Sequence, residues 1–403
     1  MNAKIQNSDE NQILFLEDYK APSTPTRVGI SRYWHWLIQS FKQKRKNGPF
    51  ISDNNLKTID SQILDQIAEP PSYFDLLSHL DDYFLKNGKS VEGPTLFVIP
   101  PCDDNNILSL WALSNGFEIL EPPPRDSLSS LKPKPLSQLS GTGLIVIPEL
   151  DRWFLRHPEG LSHVRDLLNQ LSVLNRPFVV GCNSWAWEFL KKAVMAHLLL
   201  PPPLTFAPFD YKKLKGWFGH IAEKASEGNI NFFNADDRSQ FFTETEGSVV
   251  QDSYLNTLAS ESRGIPWIAW NLWRKSLRLE RVEKEKRMED EEEKESEKKK
   301  RSVLLGADRG VRVIWVEALA SLHFPEEQKV DSLLVLHALL IHSRLTVEEL
   351  LAVTPNVETT SVVPALLKAG IITLHAKSLM CAPAAYPQVR VHLEDAGFTM
   401  DQI

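Results

Sequence analysis

The residues with the clearest chemical meaning lie in a short loop between an apolar strand and a helix. Thr95-Leu-Phe-Val-Ile99 reads as a buried strand, and Ile107-Leu-Ser-Leu-Trp-Ala-Leu113 begins a helix. A loop at this position can bind phosphate through backbone amides, provided that glycines allow close approach and a lysine supplies charge. The loop here is Pro100-Pro-Cys-Asp-Asp-Asn-Asn106, and no lysine occurs between Ser90 and Leu131. The loop therefore has the position of a phosphate site without its chemistry.

A carboxylate follows another apolar strand. Leu144-Ile-Val-Ile147 runs into Pro148, Glu149 and Asp151. A glutamate at such a strand end can activate a water molecule when a metal and a nucleotide lie beside it. Without them, the two carboxylates have the simpler role of a solvated strand end or a helix cap, which the sequence favours.

Three tryptophans recur at helical spacing near the middle of the chain. Gly264-Ile-Pro-Trp-Ile-Ala-Trp270 has the glycine and proline of a helix start, and Trp267, Trp270 and Trp273 follow one another every three residues. The spacing predicts that these side chains pack this helix onto the core. A partner-docking stripe is the alternative, because exposed tryptophans anchor protein interfaces.

The elements that would position these residues alternate between strand and helix from about residue 93 to 200. Apolar runs without alternation, such as 95–99, 144–147 and 178–181, are typical of strands buried on both faces of a parallel sheet. Leucines and a valine recur at helical spacing over residues 161–171. The fold class predicted for this region is α/β with a parallel sheet.

The last hundred residues read as a separate α+β unit. Helices are predicted over 330–343, 346–351 and 359–369, and Thr346 and Glu349 have the spacing of a capping box at the start of the second. A strand over 371–374 follows, which gives the order of a winged helix. The third helix offers only Lys368 for reading DNA bases. The sequence therefore favours a protein-docking or structural winged helix over one that binds DNA.

Composition sets broad limits. A net charge of −7 argues against a general nucleic-acid binder, so we expect nucleic acid not to be a partner. The apolar runs of the sequence are shorter than the roughly 18 residues that a membrane span needs. The three cysteines lie far apart, without the spacing of a metal site, which predicts free thiols and no bound metal. We expect a cytoplasmic protein.

The order of these pieces over about residues 90–278 resembles the AAA+ class of P-loop ATPases, including the STAND and replication-initiator branches that end in a winged helix. If Pro100 is aligned with the first glycine of the phosphate loop, Asn105 takes the place of the second glycine, Asn106 of the lysine and Ile107 of the hydroxyl residue. The resemblance therefore implies that ATP is not bound in the usual manner.

Three other positions carry the same resemblance. Pro148 stands where the class has its magnesium-binding aspartate, whereas Glu149 matches the glutamate that polarises the attacking water. Asn183 stands where the class places a polar sensor residue, and Trp267 stands where a lid arginine would contact the γ-phosphate. The resemblance also requires the strands at 95–99 and 144–147 to be adjacent and parallel.

These interpretations predict a P-loop NTPase-like core with a helical lid and a winged-helix domain. The expected segments are an N-terminal helical segment (1–85), an AAA+-like α/β core (86–200), a helical lid (201–278), a charged helical spacer (279–301) and the winged-helix domain (302–403). We expect no cofactor and a vestigial Glu149 in a non-catalytic adaptor or regulatory subunit, with a protein partner or oligomer. A divergent ATPase that uses non-standard or in-trans contacts, and a DNA-associated winged-helix protein, are the alternatives.

Overall fold

A computed structural model gives the architecture. It describes residues 12–23, 56–69, 74–85, 93–104, 106–125, 128, 136, 142–227, 230–235, 240–242, 249–280, 312–319, 324, 329–358 and 360–403. The chain divides into a first unit (Met1–Ala21, Ser72–Pro208 and Ser321–Ile403) and a second unit (Pro22–Pro71 and Phe209–Ala320). The charged stretch predicted as a helical spacer (279–301) is described only as far as Glu280, and the rest of it lies outside the described residues.

Strands and helices are numbered along the chain. The strands are β1 (Ile13–Phe15), β2 (Leu56–Thr58), β3 (Pro94–Ile99), β4 (Glu118–Ile119), β5 (Ile145–Ile147), β6 (Phe178–Asn183), β7 (Leu204–Phe206), β8 (Ile230–Asn234), β9 (Leu277–Glu280), β10 (Arg312–Val316), β11 (Leu345–Thr346), β12 (Ile372–His375) and β13 (Ser378–Cys381). The α-helices are α1 (Ser61–Ile67), α2 (Phe74–Phe84), α3 (Ile107–Ser114), α4 (Ser162–Ser172), α5 (Ser184–Ala193), α6 (Tyr211–Glu227), α7 (Val249–Glu261), α8 (Pro266–Ser276), α9 (Lys329–His342), α10 (Val347–Val353), α11 (Val362–Lys368) and α12 (Tyr386–Asp395).

The first unit contains a six-stranded sheet in the order β1-β7-β3-β6-β5-β4. The five strands from β7 to β4 are parallel, and β1 is antiparallel to β7 at the edge. All six residues of β6 are buried, as the continuous apolar run predicts for a central strand. The predicted parallel α/β class is confirmed.

The predicted adjacency of β3 and β5 is wrong. Both strands pair with β6, which lies between them, and all three are parallel. The chain returns from β5 through α4 into β6, and this crossover places β6, all six residues of which are buried, between β3 and β5. The carboxyl ends of β3, β6 and β5 consequently lie in a row at one edge of the sheet.

Residues 329–403, which we call the C-terminal module, also belong to the first unit. Helix α9 is followed by β11, α10, α11 and the hairpin β12–β13, and the three strands form a sheet in the order β11-β13-β12. Thr346 and Glu349 form the predicted capping box at the start of α10. The three helices and the hairpin lie where helices and a strand were predicted, and their assignment as a winged helix stays a prediction.

The second unit contains a four-stranded sheet in the order β2-β9-β10-β8, together with α1, α6, α7 and α8. The stretch 201–278, predicted as a mostly helical lid, contains the helices α6, α7 and α8 together with β7, β8 and the start of β9. Strand β8 pairs in parallel with β10, which lies within the segment predicted as the winged-helix domain. Such a distant pairing gives no local signal, because neither short strand is bounded by its own hairpin turn.

The N-terminal segment is likewise not purely helical, since it contributes β1 to one sheet and β2 to the other. Of the predicted N-terminal helical segment, residues 1–11 and 24–55 lie outside the described residues. Among the described helices, none is long and apolar enough to cross a membrane.

The tryptophan stripe on α8 is buried. Trp267, Trp270 and Trp273 are 2%, 7% and 0% exposed. The ring of Trp273 stacks on Phe218 with centroids 4.7 Å apart and lies 5.6 Å from the ring of Phe232, both within the second unit. These contacts correct the docking alternative, because the three indoles form no exposed stripe.

Candidate functional site

The candidate site lies at the sheet edge where the parallel strands β3, β6 and β5 end, which is where open α/β sheets bind ligands. Close packing at this edge depends on Gly181 in β6. A Cβ atom at Gly181 would lie 2.2 Å from the carbonyl oxygen of Pro148 and 2.5 Å from Leu108 Cδ1. The absence of a side chain therefore allows the turn after β5 and the start of α3 to lie against β6.

The N-terminus of α3 already holds a negative charge from the chain itself. The backbone N–H of Ile107 donates to Asp103 Oδ2 at 3.0 Å, and Asn106 before it has a left-handed backbone with φ of 50°. In a phosphate-binding loop this end of the helix faces the phosphate. A phosphate placed here would meet the Asp103 carboxylate, and the repulsion between the two charges disfavours its binding.

An arginine from the C-terminal module lies beside the same loop. Arg344, between α9 and β11, forms an ion pair with Glu149 Oε1. The side-chain amide of Asn106 is oriented here so that both of its neighbours are satisfied. In this orientation its nitrogen donates to Glu149 Oε1 at 3.0 Å and its oxygen accepts from Arg344 Nη2 at 3.2 Å. We call Asn106, Glu149 and Arg344 the Arg344 triad. It joins the position aligned with the missing lysine to the retained glutamate through a cation supplied by the C-terminal module.

Glu149 is placed in a largely desolvated position. Its side chain is 13% exposed, and Arg152 approaches its second carboxylate oxygen at 3.3 Å. Burial raises the pKa of Glu149, the Asp151 carboxylate raises it further, and Arg344 and Arg152 lower it. Both oxygens of the glutamate are thus engaged by arginines rather than directed at an open site.

A second arginine, Arg125, holds the C-terminal module to the turn after β5. Its guanidinium donates to the carbonyl oxygens of Arg344 at 2.5 Å, Asp151 at 3.0 Å and His342 at 3.1 Å, and it lies 3.4 Å from Glu349 Oε2. The residue is 8% exposed. Burial lowers the pKa of Arg125, whereas Glu349 and Asp151 raise it.

Asn183, the sensor-like asparagine, joins the core to the module as well. Its Oδ1 accepts from the backbone N–H of Trp185, which caps α5, and its Nδ2 donates to the carbonyl of Leu340 at 2.6 Å and to Ser343 Oγ at 2.9 Å. The residue aligned with a nucleotide sensor therefore contacts the end of α9.

A further contact uses a buried carboxylate near the chain end. Asp401 pairs with Arg390 of α12 and accepts from Ser184 Oγ of α5 at 2.5 Å. The side chain of Asp401 is 0% exposed. Polar contacts at several points therefore fix the C-terminal module on the carboxyl edge of the sheet.

The residues present do not fit a magnesium nucleotide. Pro148 has no carboxylate for the metal, Ile107 has no hydroxyl, and the nearest cation, Arg344, is paired with Glu149. Pro100 is buried directly after β3. Within the described ranges no group of three or more His, Cys, Asp or Glu side chains is arranged to hold a metal ion.

The remaining predicted positions divide into two groups. Asn106, Ile107, Pro148, Glu149 and Asn183 meet at the strand ends, whereas Asn105 lies outside the described residues and Trp267 belongs to the second unit. Sequence reasoning missed Arg125 and Arg344. Neither lies in a recognisable motif, and each contacts residues that are distant in sequence: Arg344 contacts Asn106 and Glu149, and Arg125 contacts the carbonyls of His342 and Arg344.

Replacing Arg344 by glutamine is expected to destabilise the first unit by about 1–3 kcal/mol at pH 7, since charged hydrogen bonds to Glu149 are lost. Without Arg344 the pKa of Glu149 rises further, so the folded state binds a proton more tightly than the unfolded chain. The loss of stability is therefore small below about pH 4.3, where Glu149 is protonated in both states, and grows as the pH rises. Urea denaturation of both proteins between pH 4 and 8 measures it.

Arg152→Gln is the matched control for this variant. Arg152 contacts the same carboxylate but is 39% exposed, so a smaller loss is expected. Equal effects of the two substitutions, or a loss from Arg344→Gln that does not change with pH, would contradict the assigned role of Arg344.

Comparison with known proteins gives fold-level similarity only. No protein-family model and no curated protein sequence matches the chain. Among solved structures, it is similar to a Thermotoga maritima RuvB mutant, with 15% identity over 81% of this chain and 95% of that one at a TM-score of 0.28. The Aeropyrum pernix ORC2 protein, in ADPNP–ADP complexes, has 10% identity, coverage of 84% and 97%, and a TM-score of 0.33. The A. pernix ORC1 protein in complex with DNA has 15% identity, coverage of 86% and 98%, and a TM-score of 0.29.

These identities and TM-scores are low. The fold class is therefore stated on the chain's own sheet: it is an α/β fold with a parallel sheet, in which a strand–loop–helix unit begins at β3 and β6 separates β3 from β5. Because β3 and β5 are not adjacent, the adjacency that the AAA+ resemblance required is not met, and the AAA+-like assignment stays a proposal.

Proposed function

We propose that this chain is a non-catalytic, AAA+-like adaptor or regulatory subunit whose nucleotide position has been taken over by contacts within the protein. The observation that carries the proposal is the Arg344 triad. A cation from the C-terminal module occupies the polar edge of the sheet and engages the one carboxylate that a hydrolytic mechanism would need free.

Charge supports the proposal independently. At the end of α3, Asp103 supplies the negative charge that a phosphate would bring, and beside Glu149, Arg344 supplies the positive charge of the missing lysine. The charges at the site are therefore paired within the protein: Asp103 with the start of α3, and Arg344 with Glu149. A phosphate group would have to displace both contacts, and a scaffold that is held closed in this way suits a protein whose role is to bind other proteins.

The C-terminal module is proposed to serve this architecture as a winged helix that binds protein rather than DNA. Its basic residues are Lys329, Arg344, Lys368, Lys377 and Arg390. Arg344 and Arg390 are bound to Glu149 and Asp401, so only lysines remain for a phosphate backbone. DNA recognition usually relies on arginine, asparagine or glutamine side chains that reach base edges.

Hydrolysis assays on the full chain test the proposal. Wild-type protein and the Glu149→Gln variant are both expected to show no release of phosphate from ATP above a no-protein control. Hydrolysis by the wild type that disappears in Glu149→Gln would contradict the adaptor proposal and establish the divergent ATPase. Binding to duplex DNA that weakens steeply with salt would instead support the DNA-associated alternative.

A further inference from the structure

Residues 150–161, which follow β5, contact helix α9 of the C-terminal module through Arg156. The backbone N–H of Arg156 donates to His342 Nε2 at 3.2 Å, and its guanidinium Nη1 lies 2.9 Å from His337 Nδ1. His342 is the last residue of α9 and is 0% exposed, whereas His337 lies earlier in the same helix and is half-buried. We call Arg156, His337 and His342 the Arg156 cluster.

The hydrogen bonds of the Arg156 cluster fix the charge of both imidazoles. A backbone N–H and a guanidinium can only donate, so His342 Nε2 and His337 Nδ1 both accept. A neutral imidazole has one acceptor nitrogen, and a protonated imidazole has none. Both histidines are therefore neutral while α9 lies against Arg156, and a proton added at either acceptor would set one N–H against another.

Aromatic rings surround the two imidazoles. The ring centroid of His337 lies 5.8 Å from that of Trp185 in α5 and 4.9 Å from that of Phe398, and the ring of His342 lies 4.9 Å from Phe154. Trp185 and Phe154 are buried. These contacts restrict rotation of either ring toward water, so relief of a protonated imidazole requires α9 to move away from the core.

The nearest charges to the two imidazoles are positive. Arg156 contacts both rings, and Arg125 donates to the carbonyl of His342 at 3.1 Å. Burial, followed by the charge of Arg156, lowers the pKa of His337 to about 3. Burial, followed by Arg125, lowers the pKa of His342 well below its usual value, and the backbone of Asp151 acts in the opposite direction. The charges therefore oppose protonation in the docked state, as the hydrogen bonds do.

The carboxylates of the helices packed against α9 are already engaged by cations. These pairs are Glu188 with Lys191 on α5, Glu349 of α10 with Arg125, and Asp401 with Arg390 of α12. The turn after β5 adds Asp151, whose carbonyl accepts from Arg125 at 3.0 Å. Strand β13 and helix α11 add Cys381 and Lys368. A proton on either histidine would thus add charge beside two arginines.

We propose that the Arg156 cluster is an acid-sensitive switch, in which binding of protons by His337 and His342 releases helix α9 from residues 150–161. Release would also separate Arg344 from Glu149, because Arg344 follows His342 closely in the chain. The inference concerns how the C-terminal module is held and does not depend on whether the chain is an adaptor.

The direction of the pH effect follows from the two states. A histidine that is neutral when α9 is docked, and has an ordinary pKa of about 6.5 when α9 is released, binds its proton more tightly in the released state. Docking is therefore fully stable above about pH 6.5 and weakens as the pH falls toward the pKa of the docked state. Between pH 7.5 and 4.5, each histidine should raise the equilibrium constant for opening about 100-fold, and both together about 10,000-fold.

Hydrogen exchange of the folded, full-length chain, followed by mass spectrometry at pH 4.5 to 7.5 and corrected for the intrinsic exchange rate, tests the switch. Glutamine replaces histidine in the variants, because its amide oxygen can accept from Arg156 but does not titrate. Relative to the double variant His337→Gln/His342→Gln, wild type should show an increase of about 10,000-fold in the opening of α9 and residues 150–161, and His337→Gln about 100-fold. Carboxylates titrate in all three proteins, so their contribution cancels in the comparison.

His197→Gln is the matched control, because His197 is exposed in the first unit, and it should follow the wild-type profile. If the double variant does not fold, the comparison of wild type with His337→Gln decides the question. Identical pH profiles for those two proteins would overturn the proposal. Loss of protection in β3 and β6 at the same pH as in α9 would also overturn it, because acid would then unfold the whole unit rather than release the module.

Discussion

Replacing Arg125 by methionine is expected to lower the free energy of unfolding of the first unit by about 3–5 kcal/mol, because one partner of a buried, charged network is removed. Methionine fills much of the arginine volume but donates no hydrogen bond. The carbonyl oxygens of Arg344, Asp151 and His342 would then be left without this donor. Urea denaturation followed by tryptophan fluorescence measures the loss.

Arg165→Met is the control for this variant. Arg165 makes one long hydrogen bond, 3.5 Å to the carbonyl of Ala193, at an exposed position. A change within about 0.5 kcal/mol is expected for it. If Arg125→Met were equally mild, Arg125 would not be the residue that holds the C-terminal module to the turn after β5.

Replacing Asp401 by alanine is expected to cost about 3 kcal/mol or more, since a buried guanidinium loses its carboxylate. Arg390 is 8% exposed and would remain charged without its partner, and the hydroxyl of Ser184 would lose its acceptor. Because the contact between Ser184 and Asp401 joins α5 to the chain end, the C-terminal module should also become more sensitive to limited proteolysis. Denaturation and proteolysis rates of the full chain check both effects.

Asp395→Ala provides the matched carboxylate control, because Asp395 is exposed at the end of α12. It should change the unfolding free energy by no more than about 0.5 kcal/mol. A comparable loss in the two variants would show that Asp401 contributes only general surface charge rather than a buried pair.

The core strands could be predicted from the sequence because each is an apolar run that is buried on both faces. Strands β3, β5 and β6 were all placed within a few residues, and the capping box at Thr346 and Glu349 was found from its spacing. Both signals are local. They depend on the type and period of neighbouring residues, which the chain displays before it folds.

Strand order and distant pairings gave no such signal. The insertion of β6 between β3 and β5, and the parallel pairing of β8 with β10, are decided by crossover connections and by packing across the whole unit. The tryptophans of α8 show the same limit, because their periodicity fixed a helical face but could not decide whether that face is exposed.

The candidate site was predicted in part for the same reason. The degenerate positions Asn106 and Pro148 and the retained Glu149 follow strands and could be aligned by order. Arg344 and Arg125 could not, since Arg344 contacts Glu149 across 195 residues and Arg125 contacts the carbonyl of Arg344 across 219. The departures from the phosphate-loop pattern were therefore visible in the sequence, whereas the contacts among Asn106, Glu149 and Arg344 required the structure.

The structure also changes the meaning of the missing lysine. With the loop alone, the absence of a lysine between Ser90 and Leu131 is only a missing cation. With Arg344 paired to Glu149 and Asp103 bonded to the start of α3, the loop takes part in a set of internal contacts. We therefore propose that these internal contacts hold the C-terminal module against the sheet without a nucleotide.

Isothermal titration calorimetry of the full chain with ATP and magnesium tests this claim most directly. The account predicts no binding heat up to millimolar nucleotide, because Asp103 and Arg344 already fill the charged positions of the site. Saturable binding with a dissociation constant in the micromolar range, about −8 kcal/mol, would contradict it, since the nucleotide would then have displaced the contacts that define the site.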